Sequence, residues 1–142
     1  MIKQNIVFVE NKSGSLQKVT RILAENHIDI YGFACFDAPE FALFRMVCSV
    51  PEKAEQLLTE NGYMNRITNV IAVDMKDKVG GLDELLAVVG ESNVNLDYIY
   101  TSYHREAMTP VMILQCEEIY VTESVLKNNG FTILNSADEL YK

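Results

Sequence analysis

Asn11-Lys12-Ser13-Gly14-Ser15-Leu16 and Asp77-Lys78-Val79-Gly80-Gly81-Leu82 are two copies of one short pattern, 66 residues apart. Each sets a polar residue, a lysine and a glycine ahead of an aliphatic run with helical spacing. The correspondence extends outward from the loops. Ala24-Glu25-Asn26-His27-Ile28-Asp29-Ile30 aligns with Gly90-Glu91-Ser92-Asn93-Val94-Asn95-Leu96 at the same offset. Identities are few, but apolar character persists at Val19/Leu85, Ile22/Val88, Leu23/Val89, Ile28/Val94 and Ile30/Leu96. Glu60-Asn61-Gly62-Tyr63 then matches Asn128-Asn129-Gly130-Phe131, with the offset grown to 68. Repetition on this scale marks two copies of one structural unit, with a seam near Asn69 and domains at 1–68 and 69–142.

Each half carries the same string of elements. Residues 4–10 are β-branched and aromatic, as a strand requires. Leu16, Val19, Ile22 and Leu23 form one helical stripe. Ile28 to Asp37 alternates as a strand, predicting Ile28, Ile30, Ala34 and Phe36 on one face and Asp29, Tyr31, Phe33 and Cys35 on the other. A turn at Ala38-Pro39-Glu40 leads to a third strand, Phe41 to Val50, whose Ala42, Phe44, Met46, Cys48 and Val50 are expected to face the helices. Pro51 opens a second helix and Gly62 closes it, following the usual asymmetry of helix ends. A strand at 63–68 completes a βαββαβ unit. The second half repeats the order with strands at 69–76, 95–104, 110–117 and 131–135 and helices at 81–92 and 121–129. The tail, Ser136 to Lys142, is read as a further helical turn.

Such a unit folds as a four-stranded antiparallel sheet with both helices on one face, a ferredoxin-like α+β arrangement. The other face still carries Phe41, Leu43 and Val47, and each half alone buries only about 60% of its unfolded surface. Association of the units with each other and with a second chain is therefore expected, as a homodimer.

Composition excludes several classes of function. The 142 residues are 49% apolar and 23% charged, the balance of a globular protein. Twenty acidic residues against twelve basic ones leave a net charge of −8, which repels nucleic acid. No apolar run is long enough for a secretory signal or a membrane span, so a cytoplasmic protein without membrane contact is expected. Cys35, Cys48 and Cys116 form no C-x-x-C pair, which argues against a disulfide framework or structural zinc. No catalytic constellation emerges either, so the chain is not read as an enzyme, and no cofactor or metal is expected. His27 falls at a helix end and His104 in a hairpin, without ligand partners at metal spacing. Glu117 and Glu118 are adjacent on a strand end and point apart.

The duplicated loops remain. Glycine ahead of a helix lets a ligand approach the backbone, and free N–H groups at a helix start favour an anion such as a carboxylate. Asn11, Asp77, Asp29 and Asn95 could accept from an ammonium. Ordinary strand-to-helix turns, with Ser13 and Ser15 capping the helix, account for the same residues.

Together the loops, the repeat and the order of elements resemble the ACT domain, a regulatory module that binds small ligands. The family pattern has Asn or Asp after the first strand, then often Pro, then Gly and an aliphatic residue opening the helix. Its second strand tends to begin with a polar residue between aliphatics, as in Ile28-Asp29-Ile30 and Val94-Asn95-Leu96. Ser13 and Val79 stand where the family often has Pro, and Asp29 where many amino-acid-binding members carry Asn. The resemblance implies a site shared between two units. In it, Asn11, Lys12, Ser13, Gly14, Ser15 and Leu16 would face Asn95 and Leu96, while Asp77, Lys78, Val79, Gly80, Gly81 and Leu82 would face Asp29 and Ile30. It also implies a free amino acid as ligand and, with no catalytic domain attached, a separate partner such as a metabolic enzyme. A regulatory subunit that associates with such an enzyme without a ligand is the competing expectation.

Overall fold

The computed structural model describes residues 1–141, and Lys142, the last residue of the expected C-terminal turn, lies outside them. Along the chain run β1 (Ile2–Glu10), α1 (Ser15–Glu25), β2 (Ile30–Asp37), β3 (Phe41–Cys48), α2 (Pro51–Glu60), β4 (Asn65–Asp74), α3 (Gly81–Glu91), β5 (Leu96–His104), β6 (Thr109–Cys116), α4 (Ile119–Asn128) and β7 (Thr132–Ile133). A 3-10 turn, Ala137–Leu140, follows. The chain divides into two compact units, Lys3–Thr68 and Met1–Ile2 with the residues from Asn69 on. Both have the expected α+β, ferredoxin-like βαββαβ order.

The strands expected at 63–68 and 69–76 are one continuous β4. Ile67-Thr68-Asn69-Val70-Ile71 is largely β-branched, and nothing at Asn69 interrupts its extended backbone. β7 covers only two residues of the strand expected at 131–135.

In the N-terminal unit β3 pairs antiparallel with both β1 and β2. The Phe8 amide donates to the Met64 carbonyl at 3.0 Å, bringing the approach to β4 alongside β1. The core joins Val7, Val9, Phe44, Met46 and Cys48 of the sheet to Val19 and Leu23 of α1 and Ala54 and Leu58 of α2. The C-terminal unit repeats this plan, with β6 between β4 and β5 and β7 pairing the far side of β4. Its core joins Ile71, Val73, Leu114 and Cys116 to Leu85 and Val89 of α3 and Leu126 of α4. Burial of each such Val, Leu, Ile, Phe or Met side chain stabilises the fold by about 1.5–3 kcal/mol.

Two expected side-chain orientations are overturned. In β2 the register slips between Ile30, opposite Cys48, and Gly32, opposite Val47. That bulge at Tyr31 reverses the alternation beyond it. Phe33 and Cys35 therefore stand opposite the core residues Met46 and Phe44, while Ala34 and Phe36 lie on the other face. The Phe33 and Phe44 rings sit 5.9 Å apart, in contact on the helix side. Val50 also leaves the expected helix-covered face. It is the N-cap of α2 and is exposed. β5 has the same bulge at Asp97, the repeat equivalent of Tyr31.

Candidate functional site

Gly14 and Gly80 hold left-handed backbone, φ 79° and 84°, as the N-cap residues of α1 and α3. A side chain there would meet nothing within 4 Å, so the positive φ is what requires glycine. Ser15 N–H donates back to the Lys12 carbonyl at 3.2 Å, and Gly81 N–H to that of Lys78 at 3.1 Å. No side chain caps either helix, which corrects the capping role expected of Ser13 and Ser15. The next two amides in each copy, Leu16 and Gln17 or Leu82 and Asp83, have no acceptor within the helix. Such amides and the helix dipole favour a negative group. Asn11, Lys12, Ser13 and Gly14 are exposed, as are Asp77, Lys78, Val79 and Gly80. Gly81 differs, being buried so close to the Lys76 carbonyl that a Cβ would lie 3.2 Å from it.

The second-strand residues lie elsewhere in each unit. Glu10, at the start of the first loop, pairs with Phe41, whereas Ile30 pairs with Cys48 at the other end of the same eight-residue strand. Asn11–Leu16 and Asp29–Ile30 of one unit are thus roughly 25 Å apart along the sheet. In the C-terminal unit Asp74 pairs with Val111 and Leu96 with Cys116, so Asp77–Leu82 and Asn95–Leu96 are separated in the same way. Neither unit brings its own loop and its own second strand together. Asp29 and Asn95 are exposed, and Asp29 is held at its backbone by Ser49, through a 2.9 Å amide bond and a 3.0 Å bond to the hydroxyl.

Each unit also contains a cleft that the sequence reading passed over. In the N-terminal unit a cavity of about 300 Å³ lies among Phe8, Glu10, Ser15, Lys18, Gly62, Tyr63 and Met64. In the C-terminal unit one of about 240 Å³ is lined by residues including Asp74, Lys76, Gly81, Glu84, Gly130, Phe131 and Thr132. These are the same positions, shifted by 66 up to the first helix and by 68 after the second. The signal was available in the alignment, because Glu10 and Lys18 correspond to Lys76 and Glu84 with the charges exchanged.

Among the described residues no three His, Cys, Asp or Glu side chains could hold a metal ion. No helix is long and apolar enough to cross a membrane. His104 Nδ1 accepts the Ala107 amide at 3.0 Å within its hairpin. Burial raises the Cys48 thiol to about 11 and pushes Cys116 upward as well.

The sequence matches the family described as the ACT domain pair over residues 1–138. The crystal structure of protein BT0572 from Bacteroides thetaiotaomicron is similar, with 28% identity and a TM-score of 0.89, covering 99% of this chain and 96% of that one. The ligand-free regulatory subunit of aspartate kinase from Thermus thermophilus shares the fold at 14% identity and a TM-score of 0.63, covering 90% of this chain and 91% of its own. A structure of aspartokinase alpha and beta subunits matches at 14% identity and a TM-score of 0.57, with 89% and 90% covered. No curated protein matches the sequence. With the duplicated loop, the two βαββαβ units and a family match across nearly its whole length, the chain belongs to the ACT domain pair family.

Proposed function

We propose that the protein is a cytoplasmic regulator that binds a free amino acid and passes its presence to a separate partner enzyme. The observation that carries this reading is the pair of uncapped, glycine-started helices, Gly14 and Gly80, in equivalent exposed loops. Free backbone amides of Asn11–Leu16 and Asp77–Leu82 take the ligand's carboxylate. Asn95 beside Leu96, and Asp29 beside Ile30, take its ammonium from a neighbouring unit. Separation of loop and second strand within each unit supports a shared site. Ligand held between two units favours one arrangement of them, and that preference is the signal a partner reads. A homodimer is the assembly that this reading requires. The regulatory subunit of aspartate kinase, a protein of the same fold, offers a precedent for an enzyme partner.

A non-catalytic assembly subunit without a ligand is the second reading, and the exposed Phe36 and Phe41, on the sheet face away from the helices, favour it as an association surface. Calorimetric titration of the full chain and of Asp29→Ala and Asn95→Ala separates the two. Tighter binding of one amino acid by the wild type than by either variant supports the sensor. No binding heat with any amino acid in all three proteins, with association to an enzyme intact, supports the subunit.

A further inference from the structure

Surface ion pairs add little stability, so a charge arrangement preserved through two compensating reversals asks for another reason. In the N-terminal cleft the loop lysine Lys12 holds Glu10 at 3.0 Å, and the Lys18 ammonium across the cavity has no ion pair or hydrogen bond among the described residues. In the C-terminal cleft the equivalent loop lysine, Lys78, holds Glu84 at 2.9 Å, and Lys76 is the one without such a partner. The acid and the base have exchanged places, yet each cleft keeps the same set: one carboxylate tied to the loop, and one unengaged ammonium lining the cavity. Divergence that left few identities between the halves has retained this set. The N-terminal cleft adds Tyr63 and Met64, and Met64 is 72% exposed, a large apolar side chain left at the cleft's edge.

We propose that each unit carries, by itself, a binding site for a small carboxylate in the cleft beside its first helix. Lys18 or Lys76 takes the carboxylate, and the loop-bound Glu10 or Glu84 accepts from a second polar group on the ligand. In the N-terminal cleft, Tyr63 and Met64 take an apolar side chain. The C-terminal cleft presents Asp74 and Thr132 at the positions of Phe8 and Met64 and takes a polar one. These sites use neither Asp29 nor Asn95, so they do not depend on a ligand shared between units.

The test is a titration of the isotope-labelled full chain, followed by amide chemical shifts. The probes are L-leucine, 4-methylpentanoate, which keeps the carboxylate and lacks the amine, and 3-methylbutylamine, which has the reverse. Saturable shifts at Ser15, Lys18, Gly62 and Met64 with both carboxylates and none with the amine are expected. Lys18→Gln is expected to weaken that binding by about tenfold or more, while Asp29→Ala leaves it unchanged. Shifts with the amine alone, shifts that survive Lys18→Gln, or no saturable shift around the cleft with any probe would overturn the proposal. Loss in Asp29→Ala with Lys18→Gln unaffected would assign the binding to the shared site instead.

Discussion

Gly14 and Gly80, 66 residues apart, adopt the same left-handed conformation one residue before a helix. That identity of backbone, in loops that otherwise share only their lysine and the leucine after the helix start, is the most specific structural product of the repeat. It fixes the direction of two helix starts whose amides are uncapped, and the functional reading rests on them.

Because the positive φ rather than crowding demands glycine, Gly14→Ala and Gly80→Ala should each destabilise their unit by about 1–2 kcal/mol. Gly90 is a contrast, since it lies inside α3 with open space around it and no positive φ. Gly90→Ala should stabilise by about 0.5–1 kcal/mol. Urea unfolding of the three variants checks both signs. Stabilisation in Gly14→Ala would contradict the assigned turn. A β-branched residue at position 14 would strain the turn before it blocked a ligand, so loss of binding in such a variant must be read alongside its stability.

His27 has φ 57°, just past the C-terminal end of α1, where Ile28 N–H donates to the Leu23 carbonyl at 3.0 Å. Its repeat equivalent Asn93 has φ 56°. The residue marks a left-handed helix stop, for which glycine is best suited. His27→Gly should raise stability by up to about 1 kcal/mol, read as a higher denaturation midpoint.

Cys35 is exposed, whereas Cys48 and Cys116 are buried. Burial raises both buried thiols, Cys48 to about 11, and thiolate is the reactive form. Alkylation of the native protein should therefore add a single label at Cys35, and labelling in denaturant should reach all three. Peptide mass mapping distinguishes this from native labelling at Cys48.

Glu123 lies 2.7 Å from the N-terminal ammonium of Met1. Burial raises its pKa, but the hydrogen bond and charge of that ammonium, with Lys127, outweigh burial and lower it overall. A lowered folded pKa contributes stability that is complete above the ordinary carboxylate range, about 4.3. That contribution disappears as pH falls through the folded value. Glu123→Gln should consequently lose stability near neutral pH and show a shallower decline on acidification, measured as the denaturation midpoint against pH.

Much of this was legible in the residues. The offset of 66 located both loops, and proline at 51 with glycine at 62 delimited α2. Alternation in β3 correctly placed Phe44, Met46 and Cys48 toward the helices. Alternation failed in β2 because one extra residue at Tyr31 exchanges the faces of everything after it, and a bulge leaves no mark in an already apolar run. The continuity of β4 across the seam at Asn69 was hidden for a related reason, since a β-branched stretch reads the same whether it is two strands or one. Serines beside a helix start suggested caps, yet the left-handed glycine between them took the N-cap position. The clefts escaped notice because exchanged charges count as mismatches when only identities and apolar character are compared.

The claim that a free amino acid is the ligand meets its most direct test in a thermal-shift screen of the full chain against all the common amino acids. Mass spectrometry of anything that co-purifies completes the measurement. A ligand that binds only the native protein adds about 2.7 kcal/mol at a hundred times its dissociation constant, a readily measured rise in midpoint. The account predicts such a rise with one amino acid or a small group of similar ones. No rise with any of them, and no co-purifying small molecule, would contradict it.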